Sequence, residues 1–597
     1  MNSRRLNILR RCAALLVLVL LGAAAAWSIY ISYHRLDSAK YYLSPELMIV
    51  ITALLAIVIL LVKPNIPTIC ISFILLGICF IFLNHTFYVV DEASQFSYIE
   101  FIINHHRIPR FSDTIPGAPL NQVFPGNGNS MHFYEAIQPP LYYFSCAVLT
   151  WFIKSVKIRF YICRIIDLCL CTLTLLTVYR SFRYLIAKKI IKDSETLKYV
   201  FCLLAFMPIF LTTSVTVTND APMFLLAALC FLYLLKIICE DKGYLPLTIL
   251  LLVLFWTKIS TGYFLGILLA VLFVKKKFSK MFLMTGTIAA GISPWLLYNK
   301  RMYGDFTGSA EHIAIVRNIL NPIGTNVTWV DCFTNIPKYI TGFYTGSDLI
   351  PLEKSMFGVL ASFLAVLIIS AVVVSFFYII VKIIKLRSVF KFTQNEIILG
   401  MSVLAILLAY GTMSYVSMRT NLIIITSRAM LCCIIPFLYC LIFWAGRIRT
   451  EHLTHAVTCG FTFFIAFLIT ADVYYFCHTN VTFKHAADYT TLSEVSFDSM
   501  PESTVGHEYS EPVDCRSIGG SYLILEADCS SNVTLNINFT AANWDYPRII
   551  NGIQLKEGYS YKVFYIPKEV KDLTELDIYT ENFQNIQNLQ YRIVKYR

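Results

Sequence analysis

The sequence predicts a polytopic α-helical membrane protein of about 13 spans, with a small β-sandwich-like domain outside the bilayer at its C-terminal end. Three observations predict it. Of the 597 residues, 57% are hydrophobic and only 14% charged, whereas soluble chains carry nearer a quarter charged residues, and the mean hydropathy is +0.64. Apolar runs recur along most of the chain, for example 12–30, 221–235 and 357–381. A bilayer core takes about 20 such residues per helix, and only a helix or a closed barrel satisfies its own backbone in lipid. Beyond about residue 477 the composition changes to alternating polar and apolar positions rich in Asn, Thr and Tyr.

The elements follow in order. Arg4, Arg5, Arg10 and Arg11 precede the first run, which places the N-terminus in the cytoplasm. That run is too long for a signal peptide and lacks a small-residue cleavage site, so it reads as an anchor. Spans at 12–32, 46–62 and 66–84, with Lys63 in an inner turn, bring the chain outside near His85. The segment 141–153 decides everything after it. If it lies on or dips into the outer surface, the loops holding Arg180, Arg183, Lys188, Lys189, Lys192 and Lys198 fall inside. So do Lys275–Lys277 with Lys280, then Lys382, Lys385, Arg387 and Lys391, and finally Arg447 and Arg449. The excess of positive charge on cytoplasmic loops favours that arrangement. The remaining spans then sit at 160–180, 196–216, 220–239, 244–258, 260–274, 281–298, 356–384, 396–416, 429–446 and 453–476. The chain divides into a two-span segment (1–65), a large transmembrane domain (66–476) and an outer β-rich domain (477–597). The net charge of +12 sits in short loops between apolar runs, so it is an orientation signal and not a nucleic-acid footprint.

Asn-x-Ser/Thr acceptors at Asn84, Asn326, Asn480, Asn532 and Asn538 all fall at or beyond the outer surface. In the tail, 521–526, 533–539 and 559–565 alternate with period two, and Asn551-Gly552 and Glu557-Gly558 read as turns. Cys515 and Cys529 suit a disulfide in an oxidising compartment. Most of the other sixteen of the 18 cysteines lie in or beside apolar runs, as buried thiols.

Chemistry is expected from polar residues where lipid meets water. The densest set is in the first outer region (85–159): Val90-Asp91-Glu92-Ala93-Ser94-Gln95-Phe96, then Asn104-His105-His106-Arg107, then Glu135-Ala136-Ile137-Gln138-Pro139-Pro140-Leu141-Tyr142-Tyr143. Asp91 and Glu92 directly follow a span, where partial desolvation raises a carboxylate's proton affinity and suits it to act as a base. By position alone, an acidic pair that merely ends a helix in water is the favoured reading. Asn219 can cap the helix that Asp220 begins, whereas Asp220 at that depth can instead orient an acceptor or pair with Lys258. Arg164 and Asp167, three residues apart on one helix face, read as a structural salt bridge. His105, His106 and His132 are too loosely spaced for a metal site. No metal is expected from this spacing.

The order of these pieces resembles the GT-C glycosyltransferases, polytopic enzymes that use polyprenyl-phosphate sugars. Asp91-Glu92 follows an early span, Gln138-Pro139-Pro140-Leu141-Tyr142-Tyr143 follows an amphipathic stretch, and Thr218-Asn219-Asp220 leads another span. Trp256-Thr257-Lys258-Ile259-Ser260-Thr261-Gly262 resembles the family's Thr-Lys-x-x-Gly turn. Ser427-Arg428-Ala429-Met430, followed by Pro436, resembles its Gly-Arg-Tyr-Leu…Pro segment, with Ala429-Met430 departing from Tyr-Leu. The likeness covers roughly 66–476 at the level of short motifs and extends to protein O-mannosyltransferases, the lipid A aminoarabinose transferase and, nearest, a bacterial branch of predicted membrane proteins. Two spans precede the one that would be first in the family.

The resemblance implies an inverting transfer of a monosaccharide from a polyprenyl-phosphate donor to a glycan, lipid or protein acceptor outside the membrane. Some GT-C enzymes use a divalent cation, for which Asp91 or Glu92 would be the ligand here, but no cofactor is expected. It assigns the base to Asp91, with Glu92 as neighbour or alternative, and contact with donor or acceptor to Gln138, Asn219, Asp220, Lys258 and Arg428. Lys258, Arg419 and Arg428 each read also as interfacial anchors, the favoured reading for Arg419 and as good as ligand contact for Arg428. The donor's tail would enter sideways between helices, with the sugar under 85–159 and 299–355. Trp544 and the tail's tyrosines permit sugar stacking. Two other classes fit the composition: a transporter or flippase for lipid-linked glycans, and a non-catalytic scaffold in envelope glycan assembly.

Overall fold

The structure, a computed structural model, describes residues 15–24, 26, 65–83, 91–113, 133–192, 196–313, 327–336, 356–420, 427–445, 489–497, 508–516, 521–541, 548–555, 557–565, 572–580 and 583–596, with single positions at 462, 465, 466 and 469. The expected span at 46–62, most of that at 453–476, His132, Trp544, Asn84, Asn326 and Asn480 lie outside them.

Helices dominate the first part. They are α1 (Ile66–Leu83), α2 (Glu92–His105), α3 (Leu141–Thr150), α4 (Val156–Ala187), α5 (Thr196–Ala205), α6 (Pro208–Ser214) and α7 (Asp220–Glu240). There follow α8 (Tyr244–Thr257), α9 (Tyr263–Val274), α10 (Phe278–Tyr303), α11 (Trp329–Thr334), α12 (Met356–Leu386), α13 (Gln394–Thr420), α14 (Ser427–Met430) and α15 (Ile434–Ala445). Among the described residues five are long and apolar enough to cross a bilayer: α4, α7, α10, α13 and the 366–386 part of α12. The expected spans at 66–84, 244–258 and 260–274 are apolar but shorter helices. This is the architecture of a membrane protein.

The core runs through α1, α4–α9, α13 and α15, with Phe73, Phe80, Leu175, Phe210, Phe231, Phe264 and Leu399 buried in it. In lipid such a core is held by close packing and not by expulsion of water. Gly77 shows how close: a Cβ there would stand 2.5 Å from Leu168 Cδ1 on α4. Thr172, Thr174, Thr177 and Ser181 return their hydroxyls to carbonyls one turn back along α4, so these polar side chains are satisfied inside the bundle. The outer sides of α10 and α12 carry Phe282, Leu283, Phe363, Val366 and Ile384 exposed, a surface that belongs against lipid.

Two segments correct or sharpen the sequence reading. The single span expected at 196–216 is broken: α5 stops at Ala205 and α6 restarts with Pro208 in its first turn. Proline has no N–H to give the preceding turn and disfavours helical geometry in the residue before it, and Met207 is accordingly extended. Segment 141–153 contains α3, a helix of ten residues. It rises about 15 Å, half the thickness of a bilayer core of about 30 Å.

The tail forms eight strands, β1 (Tyr489–Phe497), β2 (Glu508–Arg516), β3 (Tyr522–Cys529), β4 (Val533–Ala541), β5 (Arg548–Leu555), β6 (Gly558–Tyr565), β7 (Asp572–Tyr579) and β8 (Ile586–Tyr596). They build two four-stranded antiparallel sheets, ordered β1-β8-β3-β6 and β2-β7-β4-β5. Alternate positions fill one apolar core: Leu523, Leu525 and Ala527 on β3, Leu535 and Ile537 on β4, Leu589, Tyr591 and Ile593 on β8. The three alternating stretches are strands, as expected. Asn551-Gly552 is not the turn its residues suggest. It lies inside β5, where Leu535 pairs Ile553 but Ile537 pairs Ile550, so two residues oppose Asn536 alone. That is a β-bulge, the other use of such a dipeptide. Gly558, at φ 81°, does turn the chain, carrying it from one sheet to the other. The expected Cys515–Cys529 disulfide is absent: Cys529 is a free thiol packed in the sandwich core.

Candidate functional site

α2 begins with an irregularity. Asp91, its N-cap, is held at φ 74° and makes no side-chain cap bond. The left-handed region costs a non-glycine residue about 1 kcal/mol, and Asp and Asn are among the few that visit it. The kink separates the two neighbours. Asp91 keeps a partly open carboxylate, with its side chain 20% exposed, while Glu92 turns fully into the protein.

Glu92 is committed there. Its oxygens accept 2.8 Å bonds from Arg164 Nε and Nη2, and Oε1 also accepts from the Val217 amide at 2.8 Å. Arg164 spends Nη1 on the Ile81 carbonyl at 3.0 Å and lies over the Phe160 ring. Arg164 and Asp167 are therefore not the salt bridge their spacing suggests. On a helix, positions i and i+3 share a face only roughly, and each side chain meets a closer tertiary partner. Asp167 Oδ2 accepts from the Tyr142 hydroxyl at 2.7 Å and the Thr218 amide at 2.9 Å.

The segment between α6 and α7 is fixed the same way. Three consecutive amides each meet a side chain from α2 or α4: Val217 on Glu92, Thr218 on Asp167, and Asn219 on Gln95 Oε1 at 2.6 Å. Irregular backbone at this depth persists only where its polar groups are satisfied. So fixed, the strap presents Asn219 and Asp220 inward. Asn219 does not cap α7 with its side chain; its Nδ2 donates to the Tyr143 hydroxyl at 3.2 Å and its Oδ1 accepts from Lys258 Nζ at 3.2 Å. Of the two readings open for Asp220, the pairing one holds, since it is paired with Lys258.

Lys258 terminates α8 in extended conformation, which swings its side chain from the helix axis toward α7. Arg428, on the single turn α14, closes the cluster: Nε lies 2.9 Å from Asp220 Oδ2 and Nη2 2.8 Å from Asp91 Oδ2. Thus Asp91, Asp220, Lys258 and Arg428, drawn from four separated stretches of chain, form one continuous ionic chain. Each is largely buried, the most open being Asp91 at 20%.

The floor comes from α3 and the 3-10 turn before it, Tyr134–Ile137. Tyr143 stacks on Tyr98 at 4.0 Å between centroids. The Gln138 carbonyl accepts from Tyr98 at 3.3 Å, whereas Gln138 Oε1 and Glu135 Oε2 are buried without a hydrogen-bond partner among the described residues. Glu135, outside the membrane-spanning helices, has its pKa pushed up to about 8, first by burial and next by nearby Asp91; Asp220 adds to this, and Lys258 and Arg428 oppose it. Sequence reasoning named Gln95, Glu135, Tyr142 and Tyr143 within its densest polar set without giving them a role. Tyr98, with no local signal to mark it, was missed.

The other candidates stand apart. Arg419 is exposed in the last turn of α13, as an anchor would be. His105 and His106 are exposed at the end of α2, and among the described residues no group of three or more His, Cys, Asp or Glu is arranged to hold a metal. Comparisons of the chain with family models, with characterised proteins and with solved structures found no match.

Proposed function

We propose that the protein is a membrane glycosyltransferase of GT-C type, moving a monosaccharide from a polyprenyl-phosphate donor to an acceptor outside the membrane. The supporting observation is the ionic chain Asp91–Arg428–Asp220–Lys258, which joins the partly open acid to two cations beside an apolar bundle. Asp91 takes the proton from the acceptor hydroxyl as its oxygen attacks the anomeric carbon. The bond from that carbon to the phosphate oxygen breaks, the phosphate leaves with the electron pair, and the configuration inverts. Lys258 and Arg428 stabilise the charge that grows on the leaving phosphate, which fixed cations in a dry site do far better than water. Glu92, bound to Arg164 and the Val217 amide, positions Asp91 and does not serve as base. Asn219 and Gln138 orient bound sugar or acceptor.

The lipid carrier fits the same geometry. α3 turns Tyr142, Tyr143 and Cys146 inward and leaves Phe144, Val148 and Leu149 exposed, followed by exposed Trp151 and Phe152. Such a face is suited to lipid at the membrane boundary, so a prenyl tail can lie along the outside of the helix whose inner side meets the site.

Asp91→Asn tests the proposal, because asparagine also tolerates the left-handed backbone. Transfer from a radiolabelled polyprenyl-phosphate sugar by purified protein should fall by about 10²- to 10⁴-fold, the usual contribution of a positioned base, with the melting temperature retained. Undiminished transfer would remove Asp91 from the mechanism. A flippase would instead move a fluorescent lipid-linked glycan across vesicle membranes without cleaving it, and a scaffold would do neither.

A further inference from the structure

Among the described residues, three carboxyls, those of Asp91, Asp220 and Glu135, share a site with two cations, Lys258 and Arg428. Asp91 and Asp220 are each bonded to a cation. Glu135 is not: it is 7% exposed and its Oε2 has no hydrogen-bond partner among the described residues. A buried polar atom left in that state costs about 1–3 kcal/mol, so a ligand that bonds it recovers that cost. Among the described residues, the titratable and charged groups facing it are Asp91 before α2, Tyr98 on α2, Tyr143 on α3, Asp220 on α7, Lys258 after α8 and Arg428 on α14.

An ionised Glu135 would make this site anionic and repel a phosphate. A neutral one balances the two acids against the two cations and adds an O–H donor beside them. We propose that Glu135 is the uncharged hydrogen-bond donor of the site, presenting its carboxyl proton from Oε2 to a phosphate oxygen of the lipid-linked donor. The inference rests on the glycosyltransferase reading and gives it a specific phosphate-binding group. The raised proton affinity described above keeps Glu135 protonated at neutral pH, and an arriving anion raises it further, since a like charge disfavours ionisation. Binding and protonation therefore reinforce one another.

The test uses full-length protein in lipid nanodiscs and a polyprenyl methyl phosphodiester, whose single charge does not change between pH 6 and about 10. If only protonated Glu135 binds, affinity is flat below pH 8 and falls roughly tenfold per pH unit above it. Glu135→Gln keeps a neutral donor, so it should bind as tightly as the unaltered protein at pH 7 and lose the alkaline fall. Glu135→Ala should bind more weakly than Glu135→Gln at every pH and also lack the alkaline fall. Binding by the unaltered protein with no alkaline fall, or a fall that survives in Glu135→Gln, overturns the role of Glu135 and leaves the glycosyltransferase reading standing. No binding at any pH by the unaltered, folded protein overturns both.

Discussion

At the scale of single residues, adjacent carboxylates have opposite fates because one backbone angle turns them apart. Glu92 is wholly buried against Arg164, and removing one partner of such a pair leaves a charge with nothing to balance it. Glu92→Ala should therefore lower the unfolding free energy by about 3–5 kcal/mol, read as a lowered denaturation midpoint in detergent, whereas Asp91→Asn should leave it nearly unchanged. Glu135 gives a stability prediction with a definite sign. Its ordinary value of 4.5 is raised to about 8 in the folded protein, so the native state holds a proton that the unfolded chain releases. Stability is thus lost as pH rises between those values and is level beyond them. Glu135→Gln removes the loss: its melting temperature should match the unaltered protein near pH 5 and exceed it at pH 8. The sequence made the acid pair visible through its place after a span. It could not show that Glu92 has a partner 72 positions away, because nothing local marks an arginine in an apolar run as belonging to one acid and not to the Asp167 three residues on.

At the scale of elements, the site depends on how α1, α2 and α4 hold the strap at 217–219. Gly77 packs on Leu168, the neighbour of Asp167. Gly77→Ala should be tolerated by a small shift of a flexible leucine. Gly77→Leu should force α1 and α4 apart at a cost of about 1–3 kcal/mol, and it should slow transfer although it touches no polar group. Comparing melting temperature and transfer rate for the two variants checks both halves. Helix locations were readable from apolar runs, as in α7, α10 and α13. The break between α5 and α6 was not, since hydropathy is blind to Pro208 when every neighbour is apolar. Asn551-Gly552 misled for a related reason: the dipeptide signals irregular strand geometry, and only its pairing partner decides between a turn and a bulge.

At the scale of the whole molecule, composition alone predicts the pairing of an apolar helical body with a polar sandwich, and the structure contains both. Sidedness is a further expectation from the charged loops, with its own check. Lys192 and Ser530 are exposed. A cysteine replacing Ser530 should react with a membrane-impermeant maleimide on intact cells, and one replacing Lys192 only after permeabilisation; the reverse would invert the topology. Convergence of the site was legible only as an order of motifs. Charge and hydropathy place Asp91, Asp220, Lys258 and Arg428 at the ends of helices, and helix ends on one side of a bilayer are near neighbours whenever the helices pack.

The outward face of α3 has a practical consequence. Phe144, Val148, Leu149, Trp151 and Phe152 stand exposed on the reverse of the helix that supplies Tyr142 and Tyr143 to the site. Whatever solvates the first group therefore presses on the second. The choice of solubilising amphiphile becomes an experimental variable of the chemistry itself: short-chain micelles that leave this surface wet should loosen the tyrosine platform, and added phospholipid should restore it.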